Sequence, residues 1–432
     1  AENFVAGEAV VKRKSGSSLN ASDAGVQLKT GTAAREMLVS IGSTQSARLQ
    51  SSSVIGINND ARRNAFANDE DRRKWETLMA IKALRLNPDV EYAEPNYRAD
   101  AFAAPNDELF QFQWHYNAIG LPSAWNYTTG DYSVVVAVAD TGVLLGHPDL
   151  QGQLVPGFDF ISDPFSAGDG DGIDANPNDP GDNPGNSSFH GTHVAGTIGA
   201  VGNNGIGVTG VNWSAQLMAV KFLDASGNGT TADAVEAINY ATEQGATISN
   251  ASWGGFEPFS QAMYDAIAAA GEAGQVFVAG AGNGFYGIPV DIDTLIPFYP
   301  ASYDLDNIIS VAATDHKDEQ ASFSNYGSTS VDLAAPGVDI LSTRPNNHYE
   351  KLSGTSMATP HVAGVASLIR DLHPDWTYSE VVQQILNTVD PIDSMQGITV
   401  TGGRLNAASA LGEPVPPPPP PPSGNLPIFE DF

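Results

Sequence analysis

Hydrophobic and polar positions fall into two regimes along the chain. Up to about residue 100 they predict a small α+β module. "AGEAVVKRKSG" (6–16) reads as a strand, "RRKWETLMAIKALRLNP" (72–88) as an amphipathic helix, and "VEYAEPNYRAD" (90–100) as a second strand. Pro95 holds the exit of that strand extended. A looser stretch, "AFAAPNDE" (101–108), follows.

From Gln113 onward strands alternate with helices. "YSVVVAVAD" (132–140) is a nearly continuous apolar run, as expected of a buried parallel strand, and "AQLMAVKFL" (215–223) is another. "ADAVEAINYATEQG" (232–245) predicts a helix ending at Gly245, and "ATISNASWGG" (246–255) a strand entering a glycine-rich loop. "SQAMYDAIAAAGEAG" (260–274) is a helix; "QVFVAGAGN" (275–283) and "NIISVAAT" (307–314) are strands. "TSMATPHVAGVASLIRDLH" (355–373) and "SEVVQQILNTV" (379–389) close the series as helices. The alternation predicts an α/β fold: a doubly wound, mostly parallel sheet with helices on both faces. Sites in such sheets lie at the carboxyl ends of the strands. The expected division is 1–103, 104–412, and a tail 413–432. The run "PVPPPPPPPSG" (414–424) makes that tail a stiff spacer leading toward a further domain.

Composition narrows the picture. The 432 residues, 41% hydrophobic, suffice for a large core plus a smaller module. No apolar run approaches the ~18 residues a membrane helix needs, and "AENFVAGEAV" shows no basic, apolar leader. Cysteine is absent, which excludes disulfides, thiol catalysis and Cys-ligated zinc. The net charge of −30 is unevenly placed: residues 1–103 carry 14 Lys/Arg and 13 Asp/Glu, the remainder 6 and 37. So acidic a body argues against nucleic acid and favours cations, or a salty or extracellular medium.

Three stretches carry candidate chemistry. Asp140 ends the apolar strand in "VADTGV"; alone it also reads as a turn residue. In "HGTHVAGTIGA" (190–200), His190 and His193 could ligate metal, be satisfied polar groups, or include a base. Ser356 in "SGTSMATPHVAG" stands at a helix start, where it is either a cap or a nucleophile favoured by the positive helix end. Together they supply what a general-base triad requires: a hydroxyl, a histidine to deprotonate it, and a carboxylate to hold the histidine's tautomer. The order Asp, His, Ser is one of the known chain orders for this triad. Acyl transfer also needs donors for an oxyanion, and the side-chain amide of Asn283 in "VAGAGNG" can donate.

"DTGV", "HGTHVAGT" and "GTSMATPHVAG" closely resemble the three motifs of the subtilisin-like serine proteases over residues 105–410. The resemblance implies Asp140, His190 and Ser356 as the triad, with Asn283 and the serine N–H as oxyanion donors. It implies that Ser252, Trp253 and Gly254 of "SWGG" pair with extended substrate, and that "AGAG" (Gly280, Ala281, Gly282) walls a pocket with room for a large apolar side chain. Residues 1–103 are similar to the family's inhibitory, chaperoning propeptide. The expectation is a secreted, monomeric zymogen that cleaves itself near "YRADAFAAPND", after Phe102, Ala103 or Ala104. Its partners would be protein or peptide substrates and its own propeptide.

Calcium is the expected cofactor. "DPFSAGDGDGIDANPNDPGDN" (163–183) holds six Asp and no basic residue, and is not an EF-hand. Asp169, Asp171, Asp174, Asp179 and Asp182 are its candidate ligands. The resemblance implies a second site at Asp107, Asp149 and Asn203 or Asn204. Three rivals stand beside this reading: a zinc hydrolase built on His190 and His193, which lacks an obvious third ligand; a non-catalytic binding protein; and a processing protease selective for basic residues.

Overall fold

The computed structural model describes residues 4–14, 27–30, 36–40, 69–97, 104–179, 181 and 189–412. The chain divides into two compact units, residues 1–101 and 102–432, two residues from the boundary expected from sequence.

The first unit is α+β. Strand β1 (Phe4–Arg13) pairs antiparallel with β3 (Glu36–Ser40) and β4 (Val90–Tyr97), and β2 (Gln27–Thr30) extends the sheet beyond β3. Helix α1 (Asp69–Arg85) lies against β1 and β4. Ala9, Val11, Ala80, Ile81, Leu84 and Ala93 are buried there. Pro95 lies within β4, an edge strand and so a place where proline is tolerated, opposite Ala9 of β1.

In the second unit the strands are β5 (Val135–Asp140), β6 (Leu154–Asp159), β7 (Gln216–Lys221), β8 (Ile248–Ala251), β9 (Val276–Gly280), β10 (Ile308–Thr314) and β11 (Leu333–Pro336). Then come the hairpin β12 (Ile340–Arg344) and β13 (His348–Leu352), and the short β14 (Asp390–Pro391) and β15 (Gly403–Arg404). A nine-stranded sheet runs β14-β15-β11-β10-β9-β8-β5-β7-β6 and is parallel except at β14. The longer helices are α2 (His190–Gly199), α3 (Thr231–Glu243), α4 (Gln261–Glu272), α5 (Thr355–Leu372) and α6 (Tyr378–Asn387).

Period-two alternation sends Val136 and Val138 to one core, with α2, α5 and α6, and Ala137 and Ala139 to the other, with α3 and α4. Burial on both faces explains why β5 reads as a continuous apolar run. Short side chains take the α3 side, where Ala234, Ala237 and Ala241 approach the sheet closely. Sequence-legible caps start the helices: Thr230 accepts from Asp233 N, Ser260 from Met263 N, and Thr377 with Glu380 forms a capping box. The α5 start has no side-chain cap. β6 and β7 lie on one side of β5 and β8 to β11 on the other, so the strand order reverses at β5. That reversal opens a crevice at its carboxyl end.

Candidate active site

Asp140 is the last residue of β5 and fully buried. Its Oδ1 accepts from Thr141 N at 2.7 Å and lies 2.8 Å from His190 Nδ1, with Oδ2 at 3.0 Å. His190 opens α2 behind Phe189, whose φ of 63° turns the chain into the helix. Gly191 lets the helix come this close, because a Cβ there would sit 2.2 Å from Gly142 O and 2.9 Å from Asp140 Cβ. Since a carboxylate only accepts, Nδ1 carries the imidazole proton and Nε2 keeps a free lone pair. Burial by itself would lower the His190 pKa, but the charge and hydrogen bond of Asp140, with the charge of Asp179, raise it above the ordinary histidine value. The imidazole remains 21% exposed, open to the cleft.

Ser356 is the second residue of α5. Its Oγ donates to Ser252 O at 2.9 Å, and Ser252 Oγ donates back to Ser356 O at 2.9 Å. The second bond has a cause in the sequence. Pro360, inside the helix rather than in its first turn, lacks the N–H that would reach Ser356 O, and the Ser252 hydroxyl takes that place. Ser356 and His190 line one cleft of about 350 Å3 with Ser252, Trp253, Gly254, Gly280, Gly282 and Asn283.

Asn283 follows β9. Its Oδ1 accepts from Thr355 N at 2.8 Å and Thr355 Oγ1 at 3.2 Å. A backbone N–H only donates, so the oxygen is fixed there and Nδ2 is left as a donor. A methyl on Gly354 would lie 3.4 Å from Asn283 Nδ2 and 3.6 Å from Ser356 N. Both nitrogens therefore lie close to one point beside the serine.

His193 is separate from this chemistry. Its Nε2 donates to Ile340 O and Glu350 O, both at 3.0 Å, anchoring the β12–β13 hairpin. Burial pushes its pKa down to about 3. Nε2 of His193 is thereby committed to the hairpin carbonyls, as Nδ1 of His190 is to Asp140. Ala281, expected in the pocket wall, is fully buried in the second core and does not line the cleft. Only its glycine neighbours line it, because adjacent residues face opposite ways.

Among the acidic candidates, Asp169, Asp171 and Asp174 bring carboxylate oxygens within 4.8 Å of one another. Both Asp169 oxygens are buried without a partner, as is Oδ2 of Asp159, a residue the sequence reading missed. Burial, with repulsion from Asp169 and Asp174, raises the Asp159 pKa to about 7. Buried oxygens without donors among like charges fit a hard cation. Asp179 does not join them: its oxygens accept from Thr141 Oγ1 at 2.7 Å, Phe189 N at 2.8 Å and Gly181 N at 3.0 Å. Those protein donors occupy it, so it ties the turn after Asp140 to the residue before His190. Asp182 lies outside the described residues.

The second acidic set does assemble. Asp107 accepts from Asn203 N at 2.7 Å and Asn204 N at 3.3 Å, and Asp149 accepts from Asn204 Nδ2 at 2.7 Å. Both carboxyls are buried; burial, with Asp107 nearby, raises Asp149 to about 6. All four carboxyl oxygens accept from protein N–H groups, Val208 N reaching Asp149 Oδ2 at 2.9 Å, and the amide oxygens of Asn203 and Asn204 accept from Asn106 N and Ile206 N. The set is gathered, and calcium there would take the place of these donors.

A carboxylate, an imidazole and a hydroxyl at the carboxyl rim of a parallel sheet, beside two convergent N–H donors, define a serine hydrolase of the acyl-transfer class. A sequence model of the Subtilase family matches residues 131–411. The chain is 40% identical over 351 residues to "Thermophilic serine proteinase" of Bacillus sp. (strain AK1), covering 80% of each. It is 41% identical over 308 residues to "Thermitase" of Thermoactinomyces vulgaris, covering 71% of this chain and 99% of that one. A solved structure from a set of proteases of Pseudoalteromonas arctica aligns with a TM-score of 0.64 at 35% identity, over 72% of this chain and 99% of that one. This chain belongs to the subtilase family and is a serine endopeptidase.

Proposed function

We propose that the chain is the precursor of a secreted, calcium-stabilised endopeptidase that releases itself by cutting near residues 98–106. Ser356 Oγ attacks the peptide carbonyl while His190 Nε2 takes its proton. The imidazolium, held by Asp140, then returns that proton to the leaving amine, and water repeats the sequence on the acyl-enzyme. Asn283 Nδ2 and the Ser356 N–H receive the oxyanion. Ser252, Trp253 and Gly254 pair with extended substrate as an added strand. Gly280 and Gly282 flank the side chain before the scissile bond, which is apolar.

The observation that carries this reading is the His190 Nδ1 to Asp140 Oδ1 contact of 2.8 Å, which leaves Nε2 free in the cleft that Ser356 lines. The basic-specificity alternative lacks support, since among the described residues lining that cleft none is acidic. Residues 1–103 act as the propeptide, and calcium binds at the Asp169 and Asp149 clusters, where it would add stability by binding the native state alone.

The test follows the mass of the purified precursor with calcium. The expected result is one cut between residues 98 and 106 and casein hydrolysis, both lost in Ser356→Ala. A precursor that stays whole, or a Ser356→Ala protein that still degrades casein, overturns the proposal.

A further inference from the structure

We propose that Phe298 closes the pocket for the residue before the scissile bond and restricts that residue to a small side chain, alanine above all. This rests on the endopeptidase reading and narrows its expectation of room for a large apolar group.

The phenyl ring lies where such a group would go. Phe298 lines the cleft yet is only 8% exposed. A methyl on Gly254 would sit 2.4 Å from Phe298 Cε1, and one on Gly282 would sit 2.8 Å from its Cζ. The ring therefore occupies the space that both wall glycines face. The ring is one reason the walls are glycine, beside Tyr299 O, 2.6 Å from a methyl on Gly254, and Asn325 Nδ2, 2.6 Å from one on Gly282, whose φ is +96°; the room the glycines leave is already taken.

The ring has little freedom to withdraw. Tyr299 and Gly255 exchange both backbone hydrogen bonds at 2.9 Å. Phe298 N donates to Ser302 Oγ at 3.0 Å, and Ser302 N donates to Phe298 O at 2.8 Å. The ring packs edge-on against Phe256, with centroids 5.1 Å apart at 76°. The opposite wall is held too: Asn325 Nδ2 donates to Ala281 O at 2.8 Å, and Gly282 N to Thr355 Oγ1 at 3.1 Å. A benzyl or long aliphatic side chain would have to displace Phe298 against these contacts, whereas an alanine methyl needs no movement. Protein interiors this tightly packed yield poorly to added volume. Of the residues weighed for self-cleavage, Phe102 is then excluded, and Ala103 and Ala104 fit.

The experiment compares kcat/KM for two tetrapeptide p-nitroanilides that differ only in alanine or phenylalanine before the scissile bond. Wild type and Phe298→Gly are each normalised by active-site titration with a fluorophosphonate. Wild type is expected to prefer alanine at least tenfold, and the alanine-to-phenylalanine ratio to fall at least tenfold in Phe298→Gly. Phe298→Ala, expected to shift the ratio the same way, stands in if the glycine variant does not fold. Wild type cutting after phenylalanine as well as after alanine, or a ratio unmoved by either variant, overturns the inference but leaves the endopeptidase intact. Hydrolysis of neither substrate by a titratable enzyme overturns both.

Discussion

His190 stands between opposing influences: burial favours the neutral ring, and the Asp140 carboxylate favours the charged one and prevails. Its pKa therefore lies above the ordinary value of about 6.5, and since the neutral form is the base, the acid limb of kcat/KM falls above that pH. Asp140→Asn removes the charge, so the limb shifts to lower pH. The rate falls by roughly 10^4, because an amide N–H replaces one of the two oxygens facing Nδ1 and the tautomer is no longer held. A pH–rate profile of both proteins checks the two effects. In its proposed role Asn283 acts only once negative charge develops, so Asn283→Ala should lower kcat by about 10^2 to 10^3 with KM little changed. A change confined to KM would assign Asn283 to ground-state binding instead. Asp140, His190 and Ser356 were each ambiguous from local pattern alone and became legible only together, through three motifs that resemble those of one family. Phe298 was not, since its meaning depends on Gly254 and Gly282, distant in sequence.

Among the elements, the junction of β5 with α2 sets the Asp140–His190 pair, and Asp179 fastens it. Asp179 is buried and reaches Thr141, one residue beyond Asp140, and Phe189, one residue before His190. Its backbone is joined to the same turn through the Val143 carbonyl at 3.2 Å. Asp179→Asn would place an amide donor among N–H and O–H donors, at a cost of about 1–3 kcal/mol. The expected result is a lower kcat and a lower melting temperature, equal with and without calcium. Asp169→Asn should lower only the calcium-dependent part of the melting temperature. Calorimetry of both variants with calcium and with chelator separates the roles. Sequence proximity put Asp179 in the acidic loop. The fold separates it from Asp169 because the chain between them pairs Asp174 with Asp159 before turning back to Val143.

At the scale of the whole molecule, charge is the outstanding strain. A net charge of −30 on a chain without cysteines repels itself, and several of its acids are buried. Calcium bound by the native state alone would add about 2.7 kcal/mol per site at one hundred times its Kd. Chelation should therefore lower the melting temperature by several degrees, reversibly on adding calcium back. Removing Asp149 or Asp159 should each abolish part of that response. A melting temperature indifferent to chelator would mean that the clusters hold no calcium.

The sequence alone determined the alternation of strands and helices and the parallel sheet, which follow from local periodicity and turn chemistry that neighbours along the chain supply. The triad assignment came from the resemblance of three motifs to the subtilisin-like proteases. Only the tertiary structure decided which acids stand unpaired, that Ser252 answers the carbonyl freed by Pro360, and that Phe298 stands between two glycine walls. Each of these depends on which atoms meet across the fold, and packing distances between remote segments are set by how the sheet and helices close around one another.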